Sequence, residues 1–85
     1  PPMSEIFRIE FDGGARGNPG DAGYGVVIRA ADGTPIVTTG CYIGKATNNV
    51  AEYSGLIEGL KRAVELKLSR VAVFGDSELV IKQLK

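Results

Sequence analysis

The chain has 85 residues, with ten basic and ten acidic side chains, one cysteine and no histidine. That length allows one small domain, which buries only about 60–65% of its unfolded surface, and the even charge is unlike that of a protein held to nucleic acid by charge alone. The missing histidine excludes Ser-His-Asp catalysis and imidazole-rich zinc sites, and no apolar run approaches the ~20 residues of a membrane span.

Hydrophobic content of 44% and charged content of 24% are ordinary for a folded domain and argue against disorder. Cys41 has no partner for an internal disulfide, which favours a reducing, cytoplasmic setting. With no histidine to activate it, it reads as a core or strand cysteine rather than a catalytic thiol. Residues 1–44 carry three bases against five acids, and residues 45–85 carry seven against five, a tilt too small to identify a partner.

In chain order, IFRIEF alternates apolar and charged residues as a half-buried strand does. The alternation puts Arg8, Glu10 and Asp12 on one side and Phe7, Ile9 and Phe11 on the other. GGARGNPGDAG then reads as a turn or loop from its Gly and Pro content. YGVVIRA and PIVTTGCYIG read as a second and a third strand, joined at ADGT by an Asp-Gly hairpin signal. The first three elements form an antiparallel meander.

TNNVAEY opens a helix. At 100° per residue, Val50, Tyr53, Leu56, Ile57, Leu60, Ala63 and Val64 share an apolar face opposite Glu58, Lys61, Arg62 and Glu65. Ala51, Gly55 and Gly59 form a line of small residues that would let the helix approach the sheet closely, which gives two costly mid-helix glycines a packing reason. VAVF reads as a buried parallel strand reached by a right-handed crossover. SELVIKQLK reads as a second helix, with Asp76 or Ser77 as its N-cap, that continues to the last residue without a stop signal. The domain, residues 1–85, is therefore expected to be incomplete at its C-terminal end. Truncation of that kind makes domain swapping an available route to self-association, while the oligomeric state stays open.

Asp12, Glu52 and Asp76 stand at element ends, where a carboxylate does little for folding. Each also has a structural role available. Asp12 can cap a Gly-rich turn, Glu52 can complete a capping box with Asn49 as N-cap, and Asp76 can cap the second helix. Together they point elsewhere. A parallel pairing of VAVF with IFRIEF brings Asp12 and Asp76 to the edge where open α/β sheets place ligands, and Glu52 can point at that edge. Three clustered carboxylates repel one another unless a hard cation such as Mg²⁺ or Mn²⁺ binds.

DGGARGNPG, TNNVAEY and GDSELV, in this order and spacing, resemble the first three motifs of the type 1 ribonuclease H family, over nearly the whole chain from Phe7 to Lys85. The resemblance implies an α/β, ribonuclease H-like fold: a three-stranded antiparallel meander plus a parallel strand, with helices packed on the sheet. It implies that Asp12, Glu52 and Asp76 are catalytic and ligate two divalent metals when substrate is bound. Such ions activate an attacking water and stabilise the departing 3′ oxygen, so the RNA strand of an RNA–DNA hybrid is cleaved without a covalent nucleophile. It further implies substrate contact through Gly13, through Arg16, Gly17 and Asn18 of the loop, and through Asn48 and Asn49, with Thr47 helping to seat a DNA phosphate. Amide side chains in a minor groove can read the 2′-hydroxyl that separates RNA from DNA.

The chain departs from the family pattern: the rest of the second helix, a fifth strand, the final helix and the basic handle of some members are expected to be missing. A fourth carboxylate has no counterpart, and Glu78 stands where many relatives carry a neutral amide. A fragment of this kind is expected to be weak or inactive while its parent is an endonuclease. The alternatives are a ribonuclease H-fold scaffold or nucleic-acid-binding module without catalysis, and a nuclease of the same superfamily acting on DNA or structured RNA.

Overall fold

The computed structural model describes residues 5–75 and, for the backbone alone, 78–83. Its elements in chain order are β1 (Phe7–Gly17), β2 (Gly20–Arg29), β3 (Pro35–Ala46), α1 (Asn48–Glu65), β4 (Arg70–Gly75) and β5 (Glu78–Gln83). They build one sheet in the order β3-β2-β1-β4-β5, parallel only between β1 and β4. The expected meander and parallel strand are both present.

The Gly-rich segment after Asp12 differs from expectation. It is not a loop, because β1 and β2 stay paired as far as Gly17 opposite Gly20. Only Asn18 and Pro19 lie between the two strands. Glycine lowers strand propensity without forbidding a strand, and each of these residues has a cross-strand partner. The next hairpin follows its sequence signal. Gly33 adopts φ +92°, its amide donates to Ala30 O (2.9 Å), and Asp32 Oδ1 accepts from the Thr34 amide (2.9 Å). That bond holds the Asp32 carboxyl below its usual range.

One face of the sheet packs on α1. Ile9, Val26, Ile28, Val71, Val73 and Ala63 form the buried cluster, with Phe7, Phe11, Tyr24, Leu56 and Leu60 packed against it. Fully burying a side chain such as Ile9 or Ile28 stabilises the fold by about 1.5–3 kcal/mol. The opposite face carries Arg8, Glu10 and Asp12, as the alternation predicts. There Glu10 accepts from Arg8 (2.9 Å) and from Arg29 (3.1 Å), and the Arg8 guanidinium lies 5.3 Å from the centre of the Phe74 ring.

The inward face of the helix is shifted from the centre of its apolar stripe: Ala63, Leu56 and Leu60 pack on the core as expected, and the line of small residues joins them. Its buried residues are Ala51, Gly55, Gly59 and Ala63. Val50, Tyr53, Ile57 and Val64 are 51, 66, 61 and 58% exposed. The line of small residues thus sets the contact, and the larger apolar side chains flank it or face outward. A Cβ on Gly59 would stand 2.6 Å from Ile9 Cγ2 and 3.4 Å from Val26 Cγ1, so the helix lies as near the sheet as bare backbone permits. Close packing of backbone on side chains won over the wider apolar stripe.

SELVIKQLK also departs from expectation. Residues 78–83 are a strand, not a second helix, and pair antiparallel with β4 from Arg70 opposite Gln83 to Gly75 opposite Glu78. Val80 and Ile81, both β-branched, favour extended backbone. The otherwise open edge of β4 offers hydrogen-bond partners that a lone helical turn would lack. The proposed capping role of Asp76 or Ser77 lies outside the described residues. No helix among those described is long and apolar enough to cross a membrane.

Gly59→Val is expected to destabilise the 85-residue chain by about 2 kcal/mol, lowering Tm by about 10 °C, because the added atoms have no space beneath the helix. Ile57→Gln on the exposed side should change stability by less than about 0.5 kcal/mol. Thermal unfolding of the two variants checks both; equal losses would place the wrong helix face against the sheet.

Candidate active site

The parallel strands differ in length, and that difference makes the site. β4 follows β1 as far as Gly75 opposite Phe11, while β1 continues from Asp12 to Gly17. Asp12 is thus the first residue of β1 beyond its parallel partner. It is exposed and pairs on its other side with Gly25. Asp76 follows Gly75 directly in sequence and lies outside the described residues.

The first turn of α1 occupies the edge that β4 leaves open. Gly13 rests against the backbone of Ala51, and a Cβ there would collide with the Ala51 carbonyl and stand 2.7 Å from the Glu52 amide nitrogen. No side chain fits between strand and helix at this point. This approach brings Asp12 and Glu52, one residue from each side of the contact, to the same end of the sheet. Glu52 is half-buried.

The helix begins two residues earlier than a capping box at Asn49 requires. Thr47 is the N-cap; its Oγ1 accepts from the Val50 amide (3.2 Å), and its carbonyl accepts from the Ala51 amide (3.1 Å). Glu52 is therefore past the first turn and is not the acid of a capping box. Asn48 is the first helical residue and Asn49 the second, both exposed.

The β1–β2 hairpin is tied to this turn. Asn18 Oδ1 accepts from the Asn48 amide (2.9 Å), and Asn48 Oδ1 accepts from the Ala15 amide (2.8 Å). Arg16 and Gly17 lie beside Asn18 at the hairpin tip, Arg16 exposed and opposite Asp21, Gly17 at φ +84°. All the residues expected to contact substrate, Gly13, Arg16, Gly17, Asn18, Thr47, Asn48 and Asn49, thus belong to the hairpin or to the start of α1.

A shallow groove of about 650 Å³ runs over the strands beside Asp12 and includes Gly13, Arg16, Asp21 and Tyr42. Tyr42 donates to Asp21 Oδ1 (3.2 Å), and that carboxylate pushes the Tyr42 phenol above its usual value. Neither residue is singled out by the sequence motifs. Their meeting was readable only once both strands are run past the Gly-rich segment, which sets Asp21 in β2 opposite Lys45 in β3. Tyr24 donates to Glu58 (3.4 Å); burial first, then Cys41 and Glu58, raise its pKa. Cys41 is an exposed strand residue, free of any disulfide.

Among the described residues no three of His, Cys, Asp and Glu form a metal-holding group, and Asp76 is not among them. The donor set that the sequence singles out is carboxylate oxygen alone, which suits a hard divalent cation. An exposed Asp12 at the end of the shared register, beside the turn that carries Glu52, fits such an ion.

Comparison with known proteins agrees with this arrangement. Residues 10–85 match a family model described as Reverse transcriptase-like. The chain is 47% identical over 74 residues to a protein named Ribonuclease HI from Halobacterium salinarum, covering 87% of this chain and 37% of that one. It superposes with TM-score 0.82 and 54% identity on the N-terminal RNase H domain of a Mycobacterium tuberculosis protein solved as a maltose-binding-protein fusion, covering 88% of this chain and 55% of that one. A compost-derived RNase H1 solved in complex with an RNA/DNA hybrid gives TM-score 0.76 and 44% identity, over 85% of this chain and 55% of that one. The chain thus spans little more than half of these solved chains. The chain belongs to the type 1 ribonuclease H family.

Proposed function

We propose that the protein carrying this chain is a metal-dependent endonuclease that hydrolyses the RNA strand of RNA–DNA hybrids. The observation that supports the reading is the contact of Gly13 with the backbone at Ala51 and Glu52, which brings the strand segment that carries Asp12 against the helix segment that carries Glu52. The similarity to a protein named Ribonuclease HI, and to an RNase H1 solved with a hybrid, supports the substrate class.

Asp12, Glu52 and Asp76 are the residues that would hold Mg²⁺, or Mn²⁺ in its place. When bound, two such ions make an attacking water easier to ionise and offset the charge that grows on the departing 3′ oxygen. The chain itself does the positioning. Gly13 lets the strand and the helix meet. The hairpin tip at Arg16, Gly17 and Asn18 and the helix start at Thr47, Asn48 and Asn49 flank the carboxylates as the contact surface for the hybrid. Amide donors at the helix start can meet base acceptors and ribose hydroxyls in a minor groove. A reducing cytoplasm suits a chain whose one cysteine is free and exposed.

In the full-length protein, Asp12→Asn, Glu52→Gln and Asp76→Asn are each expected to lower hybrid cleavage by about 10² or more, with hybrid binding still detectable. A chelator should abolish wild-type turnover, and added Mg²⁺ should restore it. Unchanged turnover in any of the three variants would sink the assignment of that residue. Labelled hybrid, duplex RNA and duplex DNA, assayed side by side, test the substrate. A full-length protein that cleaves none of the three in Mg²⁺ would instead be a fold-only binding module. The 85-residue chain alone is expected to be weak or inactive in the same assay, since it holds three of the family's four carboxylates; vigorous cleavage by it would contradict this.

A further inference from the structure

Among the described residues β1 has a strand on one side only from Asp12 onward, because the pairing with β4 reaches as far as Gly75 opposite Phe11. Backbone groups along that open edge need partners. At Ala15 the partner is a side chain, since Asn48 Oδ1 accepts the Ala15 N–H at 2.8 Å, where a neighbouring strand would otherwise do so. The helix has the complementary need. The amide of its first residue, Asn48, has no carbonyl to donate to within the helix. Asn18 Oδ1, from the hairpin tip, accepts it at 2.9 Å. Each asparagine therefore gives its oxygen to a backbone amide of the other element or of the strand beside it, and the two bonds close a loop through Ala15, Asn18 and Asn48.

This loop lies next to the carboxylates. Asp12 is three residues before Ala15 on β1, and Glu52 is four residues after Asn48 on α1, one turn along the helix. Between them Gly13 bears on the Ala51 carbonyl and the Glu52 amide. The contact at Gly13 limits how near strand and helix can come, but close packing of this kind is not directional. A directional bond beside it fixes their relative position.

We propose that Asn18 and Asn48 are positioning residues: their side-chain oxygens clasp the hairpin tip to the first turn of α1 and so fix where Asp12 stands relative to Glu52. The role rests on reading those two carboxylates as catalytic. It assigns the work to the carboxamide oxygen, not to the NH₂ group that would donate to a nucleic acid. Aspartate keeps that oxygen and loses the donors, and its charge also suits a helix N-terminus, so it separates the two roles.

The test uses the full-length protein, with amide hydrogen exchange read in the absence of substrate and kcat and KM read on a labelled hybrid in Mg²⁺. Asn18→Ala should speed exchange at the Asn48 amide and lower kcat by about tenfold, with KM within about threefold of wild type. Asn18→Asp should recover the exchange protection and kcat, while the donor it lacks and the charge it adds at the hybrid-contact surface show in KM alone. Asn48→Ala should expose the Ala15 amide in the same way, and Asn48→Asp should protect it again. If Asn18→Asp restores exchange protection but not kcat, or if the losses of the alanine variants fall on KM, the amides act on substrate and the proposal is overturned. Unchanged exchange in Asn18→Ala and Asn48→Ala would overturn the clasp itself. Should the wild-type protein cleave no hybrid, the endonuclease reading fails, while the exchange measurements still decide the clasp.

Discussion

The close approach of α1 to the sheet governs the molecule. Ala51, Gly55, Gly59 and Ala63 let the helix backbone rest on Ile9, Phe11, Tyr24 and Val26, and the same line ends at Gly13 where helix and strand meet backbone to backbone. A larger residue anywhere along this line would lift the helix and move Glu52 with it. Packing density and site geometry are therefore one constraint. Two glycines inside a helix each cost about 1 kcal/mol of intrinsic propensity, and the contact with a close-packed core offsets that cost.

The carboxylates depend on this constraint without contributing to it. Asp12 projects from the sheet face that α1 does not cover, where Glu10 is held between Arg8 and Arg29. Surface ion pairs of this kind stabilise by no more than about 1 kcal/mol each. Little holds Asp12 in place through its own side chain, so its position comes from the register of β1 with β2 and β4. A substitution of its carboxylate should consequently act on chemistry far more than on folding.

Much of this was legible in the sequence. The alternation of Arg8, Glu10 and Asp12 against Ile9 and Phe11 fixed the faces of β1, the Asp-Gly signal located the second hairpin, and the apolar run VAVF marked a parallel strand buried on both sides. Two of the three motifs fall on the β1–β2 hairpin and the start of α1, and the third reaches outside the described residues. The rest was hidden for identifiable reasons. Hydrophobicity ranks Tyr53 and Ile57 above Gly55 and Gly59, whereas packing ranks them the other way, so the centre of the inward helix face was misjudged by the larger residues. Glycine-rich composition read as a loop concealed two paired strands. SELVIKQLK carries apolar spacing compatible with either element, and the open edge of β4, a feature of tertiary structure, decides for the strand.

The overhang of β1 beyond β4 has a consequence for how the protein avoids its own kind. An uncovered strand edge is a template for another chain to pair with, and among the described residues β1 exposes one from Asp12 to Gly17. The helix start blocks it. Gly13 is covered by the Ala51 backbone and the Ala15 amide is already taken by Asn48, so a stray strand finds neither room nor donors in register. A carboxylate placed at the mouth of such a gap is also poorly suited to burial in a foreign sheet. The gap beside β1 is thereby closed to an added strand.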